Sequence, residues 1–343
     1  MDLETIKRND GIDSLRSLAI FAVICIHVKP FENSEIFIGR LLETLVILFS
    51  RFAVPFFYIV AGYLWEKKDD KFGWSASKKY IIRILKIILL WNIVYIVPYD
   101  LLNNINLRYA NSIIIRLTDL IRDPLNLIFE GTKVHLWFLP SLILSVLISK
   151  TMIYFKAGRY LIFIALLLYI LGLLGGAYSP CPIGIKTEFN TRNGPFFSMI
   201  FFYFGSWFSR HDNTNIKDIN IIMIIIIGFV SQLIESFVLW KMYGMPPTHH
   251  DYLIGTLIFG IGMALFAISK PCLGRGTWLA DIGMYTPGIY GIQYIFIDIL
   301  GHLNGVIKNN IVWKTILPFI VLLLSYQAIK LLSKNKMMRN LIT

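Results

Sequence analysis

A polytopic bundle of membrane-spanning α-helices is the fold class this sequence predicts, and three observations carry that prediction. The chain of 343 residues is 56% hydrophobic and 15% aromatic, above the roughly 45–50% apolar content of soluble domains. Its mean hydropathy is +0.64. Apolar runs of about 20 residues recur along the chain, each long enough to cross a hydrocarbon core near 30 Å thick.

About ten segments meet that requirement, at 14–30, 42–64, 81–99, 136–155, 159–178, 196–209, 218–240, 252–269, 279–300 and 312–332. The sixth is short, and Pro287-Gly288 interrupts the ninth. Each must be helical, because lipid offers no partner to an open backbone N–H or C=O. Most connections are short, which forces antiparallel neighbours and predicts a single all-α domain over residues 1–343 with no soluble domain. The first twelve residues are polar and no small-residue cleavage site follows the first apolar run, so that run reads as a retained helix.

The formal net charge of +12 could suggest nucleic acid, but its distribution argues for a membrane. With both termini cytoplasmic, roughly eighteen Lys and Arg fall inside and roughly eleven outside, as the positive-inside rule requires. Lys67, Lys68, Lys71, Lys78 and Lys79 follow the second segment, and Lys330, Lys334, Lys336 and Arg339 follow the last. Both clusters would favour anionic lipid as a partner, with no nucleic acid. The longer connections, 100–134 and 179–195, are then outside. In the first, Arg108, Arg116, Asp119, Arg122 and Asp123 alternate with apolar residues at helical spacing, predicting a helix along the membrane surface. Cys25, Cys181 and Cys272 fall in different compartments, which excludes a disulfide framework, and no cysteine–histidine cluster has metal-ligand spacing.

Ionisable groups inside apolar segments mark candidate functional sites, because their burial is costly. Arg16 and His27 are eleven residues apart in the first segment. Eleven steps of about 100° come to within about 20° of three full turns, so both share one helix face about 16 Å apart. Asp13 falls near the same stripe, placed either to orient Arg16 or to cap the helix. Arg51 lies in mid-segment with Pro55 one turn later; Glu235 in the seventh segment is a possible partner for it. His135 and Trp137 open the fourth segment, Arg192 and Asn193 precede the sixth, and His249, His250 and Asp251 precede the eighth. Each has a structural reading as an interfacial or capping residue beside a functional one. Adjacent His249 and His250 point in different directions on most backbones, so no metal is expected there.

The arrangement Arg16, ten residues, His27 resembles the first-helix signature of the acyltransferase-3 family, bacterial membrane proteins that move acyl groups onto envelope sugars. Arg51-Phe52-Ala53-Val54-Pro55-Phe56-Phe57 running into Ala61-Gly62-Tyr63 is similar to the family's second-helix segment, with Ala61 where Ser is more usual. His135-Leu136-Trp137-Phe138-Leu139-Pro140 and Arg192-Asn193-Gly194-Pro195-Phe196-Phe197 resemble further family stretches. Thr191-Arg192-Asn193-Gly194 also resembles the membrane domain of vancomycin-resistance serine racemases, for which substrate uptake is the alternative role.

The acyltransferase resemblance implies an O-acetyltransferase of the bacterial inner membrane. Acetyl-CoA would be the acyl donor and a polysaccharide or lipid-linked glycan, O-antigen-like, the acceptor. Acyl transfer to a hydroxyl needs a base and a cation at the developing oxyanion. His27 is the expected base. Arg16, with Asp13, is expected to hold the coenzyme A phosphates, a task for a planar multi-donor cation. Arg51 would serve the thioester carbonyl or the nucleotide. His135, Trp137, Arg192, Asn193 and His250 are expected to face the acceptor. Family members often carry a His where this chain has Gln293, which puts any two-histidine scheme in question.

Overall fold

Long runs of Ile, Leu and Phe with few turn-forming residues leave helix as the way to pair every backbone group in lipid. The computed structural model describes residues 8–31, 37–99, 107–211, 216–306 and 311–342, and every regular element among them is a helix. In chain order these are α1 (Asp10–Val28), α2 (Phe37–Ser50), α3 (Ala53–Phe72), α4 (Trp74–Val94), α5 (Leu107–Arg122), α6 (Pro124–Phe129), α7 (Phe138–Tyr154) and α8 (Leu161–Gly175). They continue with α9 (Pro195–Arg210), α10 (Asp218–Tyr243), α11 (Ile254–Ser269), α12 (Trp278–Met284), α13 (Thr286–Val306), α14 (Ile311–Leu332) and α15 (Lys336–Ile342). Five helical stretches among the described residues are long and apolar enough to cross a membrane: α1, the joined α2–α3 stretch, the one ending in α8, α10 and α14. The chain is a polytopic helical membrane protein.

The second and ninth segments are each two helices, the second expected as one and the ninth expected to be interrupted at Pro287-Gly288. The run at 42–64 breaks at Arg51-Phe52, where the backbone N–H of each reaches only three residues back, to Leu48 O at 3.3 Å and Phe49 O at 3.5 Å. Pro55 then stands in the first turn of α3, where its missing N–H costs no helical bond. The ninth segment breaks at Tyr285, between α12 and α13, and Pro287 again occupies a first turn. Proline thus marks where the second helix of each pair begins. The segment expected to form a surface helix is helical, as α5; Arg108 and Asp119, part of its predicted pattern, have side chains outside the described residues.

α1 is the axis of the bundle. It packs against α2, α3, α11, α12, α13 and α14. In its most apolar window 67% of residues are buried, against 22% in α10, which therefore lines the lipid face. Ile219, Ile226, Ile234 and Val238 of α10 are exposed there. Close helix approach depends on small residues, as is usual where lipid competes with apolar side chains. A Cβ built on Gly205 of α9 would lie 1.9 Å from Ile59 O of α3, and one on Gly62 of α3 would lie 2.2 Å from Phe202 O of α9.

Polar side chains tie the helices where their ends leave backbone groups open. Gln232 of α10 donates to Leu48 O at the end of α2 (2.6 Å) and accepts from Thr256 of α11 (2.6 Å). Thr256 in turn accepts from Leu253 N–H at 3.0 Å. Asp69 of α3 accepts from Ser77 of α4 and Lys150 of α7 at 2.6 and 2.8 Å. The α3–α9 contact leaves no space for a branched side chain, so Gly205→Val should lower the unfolding free energy by about 1–3 kcal/mol or more. Gly301, with open space around it, should tolerate Ala. Thermal unfolding of both variants in one detergent checks the difference.

Candidate functional site

α1 begins at Asn9, whose Oδ1 accepts the Ile12 N–H at 3.0 Å and caps the helix. Asp13 is therefore not the cap. Buried one turn in, it accepts from Arg16 Nη1 at 2.9 Å and from Arg8 Nε at 2.8 Å, so it orients Arg16. Near the other end of α1, His27 Nδ1 shares a 2.8 Å hydrogen bond with Tyr294 Oη of α13. His27 Nε2 has no partner among the described residues.

His27 borders a cavity of about 140 Å³ that also receives Arg51, His135, Trp137, Arg192 and His250. Five separate stretches of chain supply these six side chains, which is what the spacing on α1 alone could not show. Arg51, 5% exposed, is held at the α2–α3 break and donates from Nη2 to Pro247 O at 3.0 Å, leaving Nη1 without a partner. Glu235 does not pair with it, contrary to expectation. Its carboxylate accepts from the Ile254 and Gly255 N–H groups at the start of α11, both at 2.9 Å, and from Tyr178. Two open N–H groups at a helix N-terminus attract a carboxylate more directly than a distant guanidinium.

Arg192 pairs with Asp251 at 3.4 Å and lies over the Trp137 ring at 5.5 Å. His135 and His250 are buried, and no ring nitrogen of either has a partner. Burial pushes the His135 imidazole well below its ordinary range. Burial first, then the charges of Arg51 and His249, push His250 down to about 4. Both rings are therefore neutral near pH 7 and offer one donor and one acceptor each. His249 is exposed and points elsewhere. Asn193 is not brought to the cavity: its amide donates to Glu130 at 2.8 Å.

A second cavity, of about 240 Å³, lies beside the first and is bordered by Arg16, Lys68, Tyr80 and Arg83. Three cationic side chains make it a place for an anion. Gln293 is fully buried and borders neither cavity. Gln293 lies on α13 beside Tyr294 and three residues from Tyr290 without lining either cavity, while His135 supplies a second imidazole beside His27.

Sequence reasoning missed Tyr294, Tyr290, Thr248 and Arg83 as cavity or neighbouring residues. Arg83 carried a usable signal, a charge within Ile81-Ile82-Arg83-Ile84-Leu85. Tyr290 and Tyr294 are four residues apart, a helical aromatic pair, but nothing local says that they face α1.

A family model described as an acyltransferase domain matches residues 9–329, nearly the whole chain. The chain belongs to the acyltransferase-3 family. An amino-acid racemase of Enterococcus faecalis is 29% identical over 220 residues, 59% of this chain and 28% of that protein. A serine/alanine racemase of Enterococcus gallinarum is 25% identical over 260 residues, 71% of this chain and 35% of that protein. The chain thus spans about a third of the length of these relatives. No solved structure matches it. The family signature residues Arg16 and His27 fall in adjoining cavities.

The neutral state of His250 has a measurable consequence. The unfolded ring, near its ordinary 6.5, takes up a proton before the folded ring does at about 4. Stability from this group is present above pH 6.5 and is lost as pH falls toward 4. His250→Gln should flatten that part of the pH–stability curve by up to about 3 kcal/mol, read by unfolding at pH 7, 5.5 and 4.5.

Proposed function

We propose that this protein transfers a short acyl group, acetyl by default, from coenzyme A to a hydroxyl of an envelope glycan in the bacterial inner membrane. The carrying observation is the convergence of His27, Arg51, His135, Trp137, Arg192 and His250 on one cavity adjoining a cationic one. Family membership supports acyl transfer; the sugar, the donor and each residue's role are our reading.

Coenzyme A enters from the cytoplasm into the cavity of Arg16, Lys68 and Arg83, whose charges hold its phosphates. Its pantetheine arm then spans the rise of about 16 Å along α1. The acceptor hydroxyl sits in the His27 cavity, its ring against Trp137 and its other hydroxyls on His135 and His250. His27 Nε2 takes the hydroxyl proton as the oxygen attacks the thioester carbon. For this the ring carries its own hydrogen on Nδ1, donated to Tyr294 Oη. Arg51 Nη1 stabilises the developing oxyanion. The C–S bond then breaks, the imidazolium returns the proton to the thiolate, and an ester and free coenzyme A leave.

The racemase names of the relatives favour one second reading, uptake of a small amino acid. That role predicts accumulation of labelled serine or alanine in vesicles without thioester consumption.

His27→Ala should lower glycan acylation in cells by about 10²–10⁴-fold at normal membrane levels, while His249→Ala, altering an exposed ring outside the cavity, should not. Unchanged acylation from His27→Ala would remove the base assignment. Arg16→Lys keeps the charge but loses the bidentate geometry, so it should raise the donor Michaelis constant and leave acceptor dependence alone. Steady-state kinetics at fixed acceptor tests this.

A further inference from the structure

The two cavities share three bordering side chains, Phe57, Phe138 and Tyr290. These rings stand between the charges of Arg16 and Lys68 on one side and the His27–Arg51 pair on the other. We infer that Phe57, Phe138 and Tyr290 form a septum that the thioester threads, and that Phe57 is its movable member and sets the length of acyl chain accepted. This rests on the acyl-coenzyme A reading above.

The three rings are not equally held. Tyr290 is fixed by the hydrogen bond of its hydroxyl to His135 O and by ring contact with His135 at 5.2 Å. Phe138 packs on Tyr58 at 4.4 Å and on Tyr290 at 5.7 Å. Phe57 has one ring contact with another element among the described residues, edge-on to Phe138 at 6.4 Å. It is only partly buried, and Ala61, one turn further along α3, borders the second cavity with no more than a methyl group. The Phe57 ring thus borders open space in both cavities.

The septum also locates the scissile bond. The nucleotide belongs with Arg16, and the carbonyl must reach His27 and Arg51, so the sulfur lies between the rings. Whatever follows the carbonyl projects into a space of about 140 Å³ that must also hold the acceptor hydroxyl. A two-carbon acyl group fits behind Phe57; a six-carbon chain displaces it. An aromatic wall also keeps the two cavities from joining into a water path, which would admit hydrolysis of the thioester.

The test is binding of coenzyme A, acetyl-coenzyme A and hexanoyl-coenzyme A to the full chain in lipid nanodiscs, for wild type, Phe57→Leu and Phe57→Ala. Coenzyme A itself should bind all three proteins equally. The preference for the acetyl over the hexanoyl thioester should fall at least about tenfold in Phe57→Ala and by less in Phe57→Leu, the scale expected when a pocket gains several methylenes of space. A ring that served only packing would weaken all three ligands together. Normal coenzyme A binding with an unchanged acyl preference overturns the septum and leaves the acyltransferase reading standing. Absence of coenzyme A binding to the wild type overturns both.

Discussion

A guanidinium with almost no access to solvent has to be given partners by the fold, and Arg51 imposes that constraint on the centre of this bundle. Its position at the α2–α3 break serves the requirement. The break frees backbone groups, and Gln232 reaches across from α10 to Leu48 O to satisfy one of them. It also aims Arg51 at Pro247 O, which holds the stretch before α11 against the cavity and with it His250. One Nη remains without a partner. A buried charge left partly unpaired costs several kcal/mol, so a fold that keeps one has a use for positive charge at that place.

α1 connects this centre to the rest. Because it is surrounded on most sides, its Arg16 and His27 border cavities between helices. Asp13 and Asn9 divide the tasks at its start, Asn9 closing the helix end and Asp13 aligning Arg16. Near its far end Tyr294 holds His27 Nδ1, and Tyr294 is itself stacked on His135 at 4.6 Å with Lys133 over its ring at 5.0 Å. Lys133 is paired with Asp298 in turn. A ring with these two contacts has little freedom, which narrows the orientations of His27 that keep the hydrogen bond.

Axial position and helix face were legible in the residues; lateral neighbours were not. The eleven-residue interval placed Arg16 and His27 on one stripe, and the charge of Arg51 inside an apolar run marked it as anomalous. All ten apolar segments are helical. The division of 42–64 escaped notice because its apolar pattern runs unbroken through the joint, and Pro55 signals a break one turn after it occurs. Glu235 was a possible partner for Arg51 because both are charges inside apolar segments, whereas open N–H groups at a helix start compete for a carboxylate and leave no pattern in its own segment. The choice between His249 and His250 depends on one turn of backbone at Pro247–His249. Asn193, next to a cavity residue, turns to Glu130 for a similar reason.

The racemase relatives match this chain over about a third of their own length. A fold can be kept while its chemistry changes, so what distinguishes an acyltransferase from a carrier must be found in the cavities. A carrier exposes one site alternately to two sides and needs no fixed base. Here His27, His135 and His250 border one cavity together with Arg51 and Arg192, while Arg16, Lys68 and Arg83 border the other without a histidine, and three aromatic rings are shared between them. That separation suits a donor that delivers only its reactive end across the wall and leaves its charged body behind.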